Sequence, residues 1–173
     1  MKIKVCVLIV VVLAIWGMKR YYAGASADDL WWILSPTARL AGVMTGARFT
    51  VAPGEGYFSQ ERLFLIEKAC AGINFMIAVF GMLTFASLHR VESSVSGARV
   101  LAASALASYS AAVFVNAVRI AIAMWLTAHP VAVSTFSPAQ VHRVEGIAVY
   151  FVGLVLVYEV VLRFDRGAGR VDT

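Results

Sequence analysis

Charged residues are scarce in this chain, and that scarcity excludes most soluble folds. Only 14% of its 173 residues are Asp, Glu, Lys or Arg, while 61% are hydrophobic. A soluble domain of this length is about half apolar and carries about a quarter charged residues. A chain of this size cannot bury so much apolar surface within itself. We therefore expect it to reside in a lipid bilayer.

Cysteines are also scarce, and their small number limits the possible metal and redox chemistry. Cys6 and Cys70 are the only cysteines, and no CxxC pair or Cys/His cluster predicts a zinc site. A Cys6–Cys70 disulfide is disfavoured because Cys6 lies within or beside an apolar helix. No cofactor is indicated. The net charge of +5 comes from short loops and the tail, so nucleic acid is not an expected partner.

Long apolar runs, by contrast, are abundant. A spanning helix needs roughly 20 mostly apolar residues, and three segments meet this requirement: residues 70–88, 100–127 and 138–162. Residues 3–18 form a shorter fourth run. Residues 30–46 form a fifth, which contains Pro36 and Arg39 and either spans, tilts or lies in the interface. We predict an all-α integral membrane protein, a single-domain bundle of four to five transmembrane helices over residues 1–173.

The N-terminus combines features of a signal peptide and of a membrane anchor. Lys2 and Lys4 precede the apolar run, and the small residues AGASA (23–27) follow it. Lys19 and Arg20 lie between the run and these small residues, where cleavable signal peptides rarely carry charge. We therefore expect an uncleaved anchor helix.

Residues 47–68 predict a small β-hairpin outside the membrane. Phe49 and Val51, and later Leu63 and Leu65, alternate with other residues. The sequence APGEG between these two stretches is a turn signal.

The basic residues predict the orientation. They lie in the tail and in the loop between the first two clear spans, at Arg163, Arg166, Arg170, His89, Arg90 and Arg99. Both regions should be cytoplasmic. The starts of the 70–88 and 138–162 helices then face outward, as does the end of 100–127. The side on which Met1 lies stays open. We expect a multi-pass protein of a bacterial-type inner membrane.

Polar residues gather at the predicted outer boundary. Asn116 and Arg119 are three residues apart and share a helix face, which continues inward through Ser104, Ser108 and Ala112. A guanidinium at this depth is costly unless it snorkels or finds partners. His142 lies just over one turn into the last helix, either as a polar tip among headgroups or as a functional base. Gly146, Tyr150 and Gly153 extend its face.

Cys70 is predicted to open the 70–88 helix, with Asn74, Ala78 and Gly81 continuing its stripe. A lone cysteine is usually a small hydrophobic residue. A helix N-terminus and a nearby cation, however, both favour the thiolate. Cys70, Arg119 and His142 at one boundary would supply the nucleophile, oxyanion stabiliser and base of a membrane cysteine protease or transpeptidase.

Three motifs carry a resemblance to a known family. "ACAGINF" (69–75), "NAVRI" (116–120) and "HRVEG" (142–146), in this order, resemble the motifs of the exosortase/archaeosortase family. The small size, the "LSPTARLAGVMTG" segment and the hairpin before the cysteine resemble the compact exosortase K branch. The resemblance covers roughly residues 30–162.

Members of that family are integral-membrane cysteine enzymes that act on exported proteins. Their substrates end in a sorting signal made of a short motif, a transmembrane helix and a basic cluster. The motif is cut at the outer face, and the protein is passed to an acceptor or released. For this chain the resemblance implies Cys70 as the nucleophile, Arg119 as the substrate and oxyanion partner, and His142 as the proton shuttle.

Further residues of these motifs have weaker assignments. Asn116 and Gly72 either position reacting groups or only pack helices. Glu145 either orients the imidazole or complements the helix dipole. The family commonly has Ser after the cysteine, whereas this chain has Ala71. This departure puts a detail of oxyanion binding in doubt but leaves the nucleophile in place.

A non-enzymatic membrane scaffold or transporter subunit is the alternative. In that case the small residues are packing faces and Arg119 is a snorkelling cation. The common depth of Cys70, Arg119 and His142 would then have no explanation. Accessibility of the Cys70 thiol to an impermeant reagent separates the two hypotheses.

Overall fold

The computed structural model describes residues 2–129 and 138–168, and in its last helix the side chains of Gln140 and residues 143–163. Within these residues the chain is mostly helical, with a small sheet between the second and third helices. The elements are α1 (Lys2–Gly24), α2 (Trp31–Thr45), β1 (Thr50–Ala52), β2 (Gly56–Ser59), β3 (Phe64–Ile66), α3 (Ile73–Ala86), α4 (Ser94–Ala128) and α5 (Pro138–Ala168). Short 3₁₀ turns are present at Asp28–Leu30, Lys68–Ala71 and Ser87–Arg90.

Three helical segments of the described chain are long and apolar enough to cross a membrane. They are Lys68–Arg90, Ser94–Ala128 and Arg143–Arg163. Large apolar side chains remain exposed along α4 and α5, among them Leu106, Phe114, Trp125, Phe151 and Leu156. Apolar surface of this extent suits contact with lipid. The predicted helical class, with three helices long and apolar enough to span, is confirmed, while the bundle of four to five transmembrane helices remains a prediction.

The chain divides into two compact units. The first comprises Met1–Ala23, Ile73–Ala111 and Gly153–Thr173. In this unit α1 packs against α3, where Lys19 Nζ donates a 2.5 Å hydrogen bond to Asn74 Oδ1. It also packs against the start of α4, where a Cβ on Gly97 would lie 3.1 Å from a methyl group of Val7.

The second unit comprises Gly24–Gly72 and Ala112–Val152. It contains α2 and an antiparallel sheet of order β1-β2-β3. Val51 of β1 lies opposite Tyr57 of β2, and Phe58 of β2 lies opposite Leu65 of β3. The buried face of α2 consists of Ile33, Leu34, Thr37, Ala38 and Ala41.

The sheet has one strand more than the predicted hairpin. The APGEG turn does join β1 to β2, but the chain turns again before β3, with Leu63 at φ 49°. Positive φ is uncommon for a bulky residue such as leucine. Residues 60–63 also contain no Gly, Pro, Asn or Asp, so the sequence carries no turn signal here. Leu63, predicted to belong to a strand, is instead 81% exposed in the turn.

The prediction that Cys70 opens a long helix is wrong. Cys70 lies in the 3₁₀ turn Lys68–Ala71, and Gly72 at φ 68° separates this turn from α3. A left-handed residue ends helical continuity, and glycine adopts that conformation without a Cβ clash. Cys70 therefore lies in a separate turn before α3 and is not the first residue of that helix.

The predicted stripe on α3 is wrong for the same reason. Asn74 and Ala78 are exposed, because the break at Gly72 shifts the helix phase relative to Cys70. The buried residues of α3 are others, namely Ile73, Phe75, Met76, Val79, Leu83 and Thr84.

Hydrogen bonds tether the segment between α1 and α2 to the rest of the second unit. Both carboxylate oxygens of Asp28 accept from the N–H of Gly54 at 3.0 Å, at the turn between β1 and β2. Lys68 Nζ donates to the carbonyl of Ala25 at 2.6 Å. The second tether holds the 3₁₀ turn that carries Cys70.

Candidate active site

Asn116 of α4 holds the turn that carries Cys70. Its side chain is fully buried, and its Nδ2 donates a short hydrogen bond to the Cys70 carbonyl. Gly72 makes this contact possible, because a Cβ at that position would lie 3.3 Å from Asn116 Cγ. Asn116 and Gly72, for which the sequence left a positioning role and a packing role open, thus together fix the backbone beside the thiol.

Tyr150 of α5 completes the hydrogen bonding of the same amide. Its hydroxyl donates to Asn116 Oδ1 at 2.8 Å and accepts from Arg119 Nη1 at 3.3 Å. The Arg119 Cζ also lies 5.3 Å from the centroid of the Tyr150 ring, within cation–π range. A continuous chain of hydrogen bonds therefore runs from the Cys70 carbonyl through Asn116 and Tyr150 to Arg119.

Arg119 also interacts with the Cys70 thiol. Burial of the thiol opposes its anionic form, and the guanidinium attracts that form electrostatically. Gly146 provides the space for the guanidinium against α5, because a Cβ there would meet Arg119 Nε at 2.9 Å. A nearby cation favours a thiolate, so Arg119 counters part of the cost of burying one at this site.

Glu145 lies in the same cluster. It is half-buried and interacts electrostatically with Arg119 and Tyr150. The expectation that Glu145 either orients the imidazole of His142 or complements the helix dipole stays a prediction, because the side chain of His142 lies outside the described residues. A carboxylate near Arg119 partly balances a cation that lies in an apolar setting.

The second unit thus brings together Cys70, Arg119, Asn116, Gly72 and Glu145. The side chain of His142 lies outside the described residues, so its assignment rests on the sequence. The predicted stripe on α4 does face protein, since Ser104, Ser108, Ala112 and Asn116 are all buried.

Tyr150 was not predicted as a member of this site. From its spacing it was assigned only to the face of the last helix that extends from His142. The available signal was its spacing, four residues after Gly146 and eight after His142. A buried tyrosine hydroxyl also usually finds a hydrogen-bond partner, so a Tyr on the same face as the candidate base was a reasonable partner for Arg119.

Cys70 is a free thiol with little exposure. It is 8% exposed, whereas Cys6 is free and exposed, so the two cysteines do not form a disulfide. Among the side chains that the structure describes, which do not include His142, no three His, Cys, Asp or Glu are arranged to hold a metal ion. The chemistry available to the cluster is that of a thiol beside a guanidinium, an amide and a phenol.

Comparison with known proteins finds no match for this chain among protein-family models, curated proteins or solved structures. The functional interpretation therefore depends on the geometry of the cluster and on the resemblance of the three sequence motifs.

Proposed function

We propose that this protein is an exosortase-like cysteine peptidase or transpeptidase that cleaves C-terminal sorting signals of exported proteins at the outer face of the inner membrane. The observation that carries the proposal is the placement of Arg119 against the free thiol of Cys70, held there through Tyr150 and Asn116. A cation that only snorkels to the headgroups needs no such chain of partners.

The proposed reaction begins when the Cys70 thiol loses its proton to water and the sulfur attacks the backbone carbonyl carbon of the sorting motif. The carbon–sulfur bond forms, and the carbonyl electron pair moves onto oxygen. Arg119, with five donors on a planar fork, stabilises first the thiolate and then this oxyanion. The carbon–nitrogen bond then breaks, and His142, assigned from the sequence, protonates the departing amine. Water or an acceptor amine finally resolves the thioester.

Helix lengths support a specific membrane arrangement. α1 has 23 residues, which corresponds to about 34 Å and is enough to cross the hydrocarbon core. α2 has 15 residues, about 22 Å, and is too short. We therefore assign α1 as a fourth span and α2 to the interface. With the basic tail inside, this arrangement puts Lys2 and Lys4 on the cytoplasmic side.

The activity is tested by co-expression with an exported protein that ends in a short motif, an apolar helix and a basic tail, taken from a neighbouring gene. Intact mass measurement should show loss of this C-terminal segment. Cys70→Ala should abolish the loss, and Cys6→Ser should not affect it. Hydroxylamine, which cleaves thioesters, should release the trimmed protein from Cys70. Equal processing by wild type and Cys70→Ala would refute the proposal.

Thiol labelling separates the enzyme from a scaffold. In a Cys6→Ser background, a small membrane-impermeant alkylating reagent should modify Cys70 in intact cells, because a substrate must reach this thiol from outside. His142→Ala should still permit alkylation at neutral pH, since Arg119 favours the thiolate, yet should abolish cleavage. A thiol that stays unmodified in cells but reacts after unfolding in detergent would favour the scaffold.

A further inference from the structure

A groove lies between α2 and the sheet, apart from the cluster around Cys70. It has a volume of about 780 Å³ and is lined by residues of α2, β1 and β2 and of the intervening loop. Two of these residues are cations, Arg39 on α2 and Arg48 in the loop, and both side chains are exposed. None of the described residues that line the groove is acidic.

The two arginines of this groove have no partner among the described residues. Within the part of the chain that the structure describes, neither Arg39 nor Arg48 forms an ion pair or a hydrogen bond. The surrounding surface contains Ser35 and Tyr57, which can donate hydrogen bonds from their hydroxyl groups. Such a surface is complementary to an anion with several oxygen atoms.

The same face of α2 also carries large apolar side chains that are exposed. Trp31, Ser35, Arg39 and Val43 follow one another at four-residue spacing and therefore share a face. Trp31 is 66% exposed and Val43 is 82% exposed. A helix too short to span, with exposed Trp and Val beside arginines, has the features of an interfacial helix. The exposed apolar groups would contact acyl chains while the guanidinium groups remain at headgroup depth.

We propose that this groove binds the headgroup of an anionic phospholipid, with Arg39 and Arg48 contacting the phosphate and Val43 and Trp31 contacting the acyl chains. A zwitterionic headgroup is disfavoured because its cationic part would face two guanidinium groups and no carboxylate. The proposal goes beyond the peptidase function and holds whether or not Cys70 is a nucleophile.

The test measures which lipids the full chain retains. The protein is placed in nanodiscs made of equal parts phosphatidylglycerol and phosphatidylcholine, and native mass spectrometry counts the retained lipids. Wild type should retain phosphatidylglycerol in preference. The Arg39→Gln/Arg48→Gln double variant should reduce this preference by roughly thirtyfold, since each arginine near an anionic surface contributes about fivefold.

The matched control is Arg20→Gln/Arg62→Gln, which removes the same charge from two exposed positions outside the groove. This control should keep the wild-type preference. An equal loss in both double variants would mean that net charge alone selects the lipid, and would overturn the proposal. So would equal retention of both lipids by wild type, or an unchanged preference in Arg39→Gln/Arg48→Gln.

Discussion

Gly146→Ala is the substitution that tests the proposed site most directly. An added Cβ would lie 2.9 Å from Arg119 Nε and 3.4 Å from Cζ. Optimal contacts between nonbonded heavy atoms are about 3.5 Å or longer, so the guanidinium must move by about 0.6 Å. This displacement would disturb its 3.3 Å hydrogen bond to Tyr150 and its position at the Cys70 thiol.

The expected result is loss of activity without loss of stability. A 1 Å misplacement of a reacting or stabilising group costs about a hundredfold in rate, so we expect a ten- to hundredfold slower processing of substrate. Alanine within a helix is more stable than glycine by about 0.5–1 kcal/mol. This gain offsets much of the cost of moving a flexible arginine side chain. The thermal unfolding temperature and the amount of inserted protein should therefore stay close to wild type.

Gly17→Ala in α1 is the matched control, because a Cβ there meets nothing within 4 Å. It makes the same chemical change and has the same effect on helix propensity, so its processing rate should equal that of wild type. The assay follows trimmed and untrimmed substrate over time for the three proteins. If Gly146→Ala processes substrate as fast as Gly17→Ala, the position of Arg119 does not matter for the reaction and the proposed role is wrong.

Three further substitutions probe the same cluster, and a fourth, Gly46→Ala, serves as a control outside it. Tyr150→Phe removes the hydroxyl between Asn116 and Arg119; we expect about a tenfold or greater loss of processing, and a free energy of unfolding lower by about 1–3 kcal/mol because a buried amide oxygen loses its donor. Wild-type values of both quantities would contradict this. Arg119→Lys keeps the charge but lacks the planar fork, so processing should fall more than tenfold while the amount of protein in the membrane stays unchanged. Near-normal processing would mean that Arg119 has only a structural role. Gly72→Ala and Gly46→Ala both place alanine at a φ near 70°, at about 1–2 kcal/mol each. Only Gly72→Ala brings a Cβ against Asn116, at 3.3 Å, while Gly46 has nothing within 4 Å. Thiol alkylation should therefore change in Gly72→Ala alone, and equal alkylation rates in the two variants would count against a role of this amide in holding the turn.

The apolar spans could be predicted from the sequence because they depend on local composition. An apolar run of about 20 residues needs no information from elsewhere in the chain. The protein-facing stripe of α4 was predictable for a similar reason, since Ser104, Ser108, Ala112 and Asn116 recur at helical spacing. All four are buried.

The backbone around Cys70 could not be predicted in this way. Whether residues 68–72 continue into α3 depends on Gly72, which also allows an ordinary helical conformation. A distant residue decides between the two, because Asn116, 46 residues away, binds the Cys70 carbonyl. The extra turn at Leu63 is a comparable case, because a leucine at positive φ has no signature in composition or alternation.

The role of Tyr150 was hidden for another reason. Membership of a helix face is visible from spacing, but the partner of a hydroxyl group depends on which neighbouring helix lies against that face. The hydroxyl reaches two residues of α4, Asn116 and Arg119. The motif that contains Asn116 and Arg119 was singled out from the sequence. The packing of α5 against this motif could not be predicted from the sequence.

The tether between Lys68 and Ala25 bears on the proteolytic maturation of the chain. Ala25 and Ala27, which resemble the small residues of a leader-peptidase site, are only 8% and 6% exposed. Peptidases bind their substrates as accessible, extended strands, whereas the Ala25 carbonyl accepts a hydrogen bond from Lys68. Trimming here would have to precede folding, and would remove support from the turn that presents the thiol. Retention of α1 and assembly of the turn that carries Cys70 are thus expected to be linked steps in biogenesis.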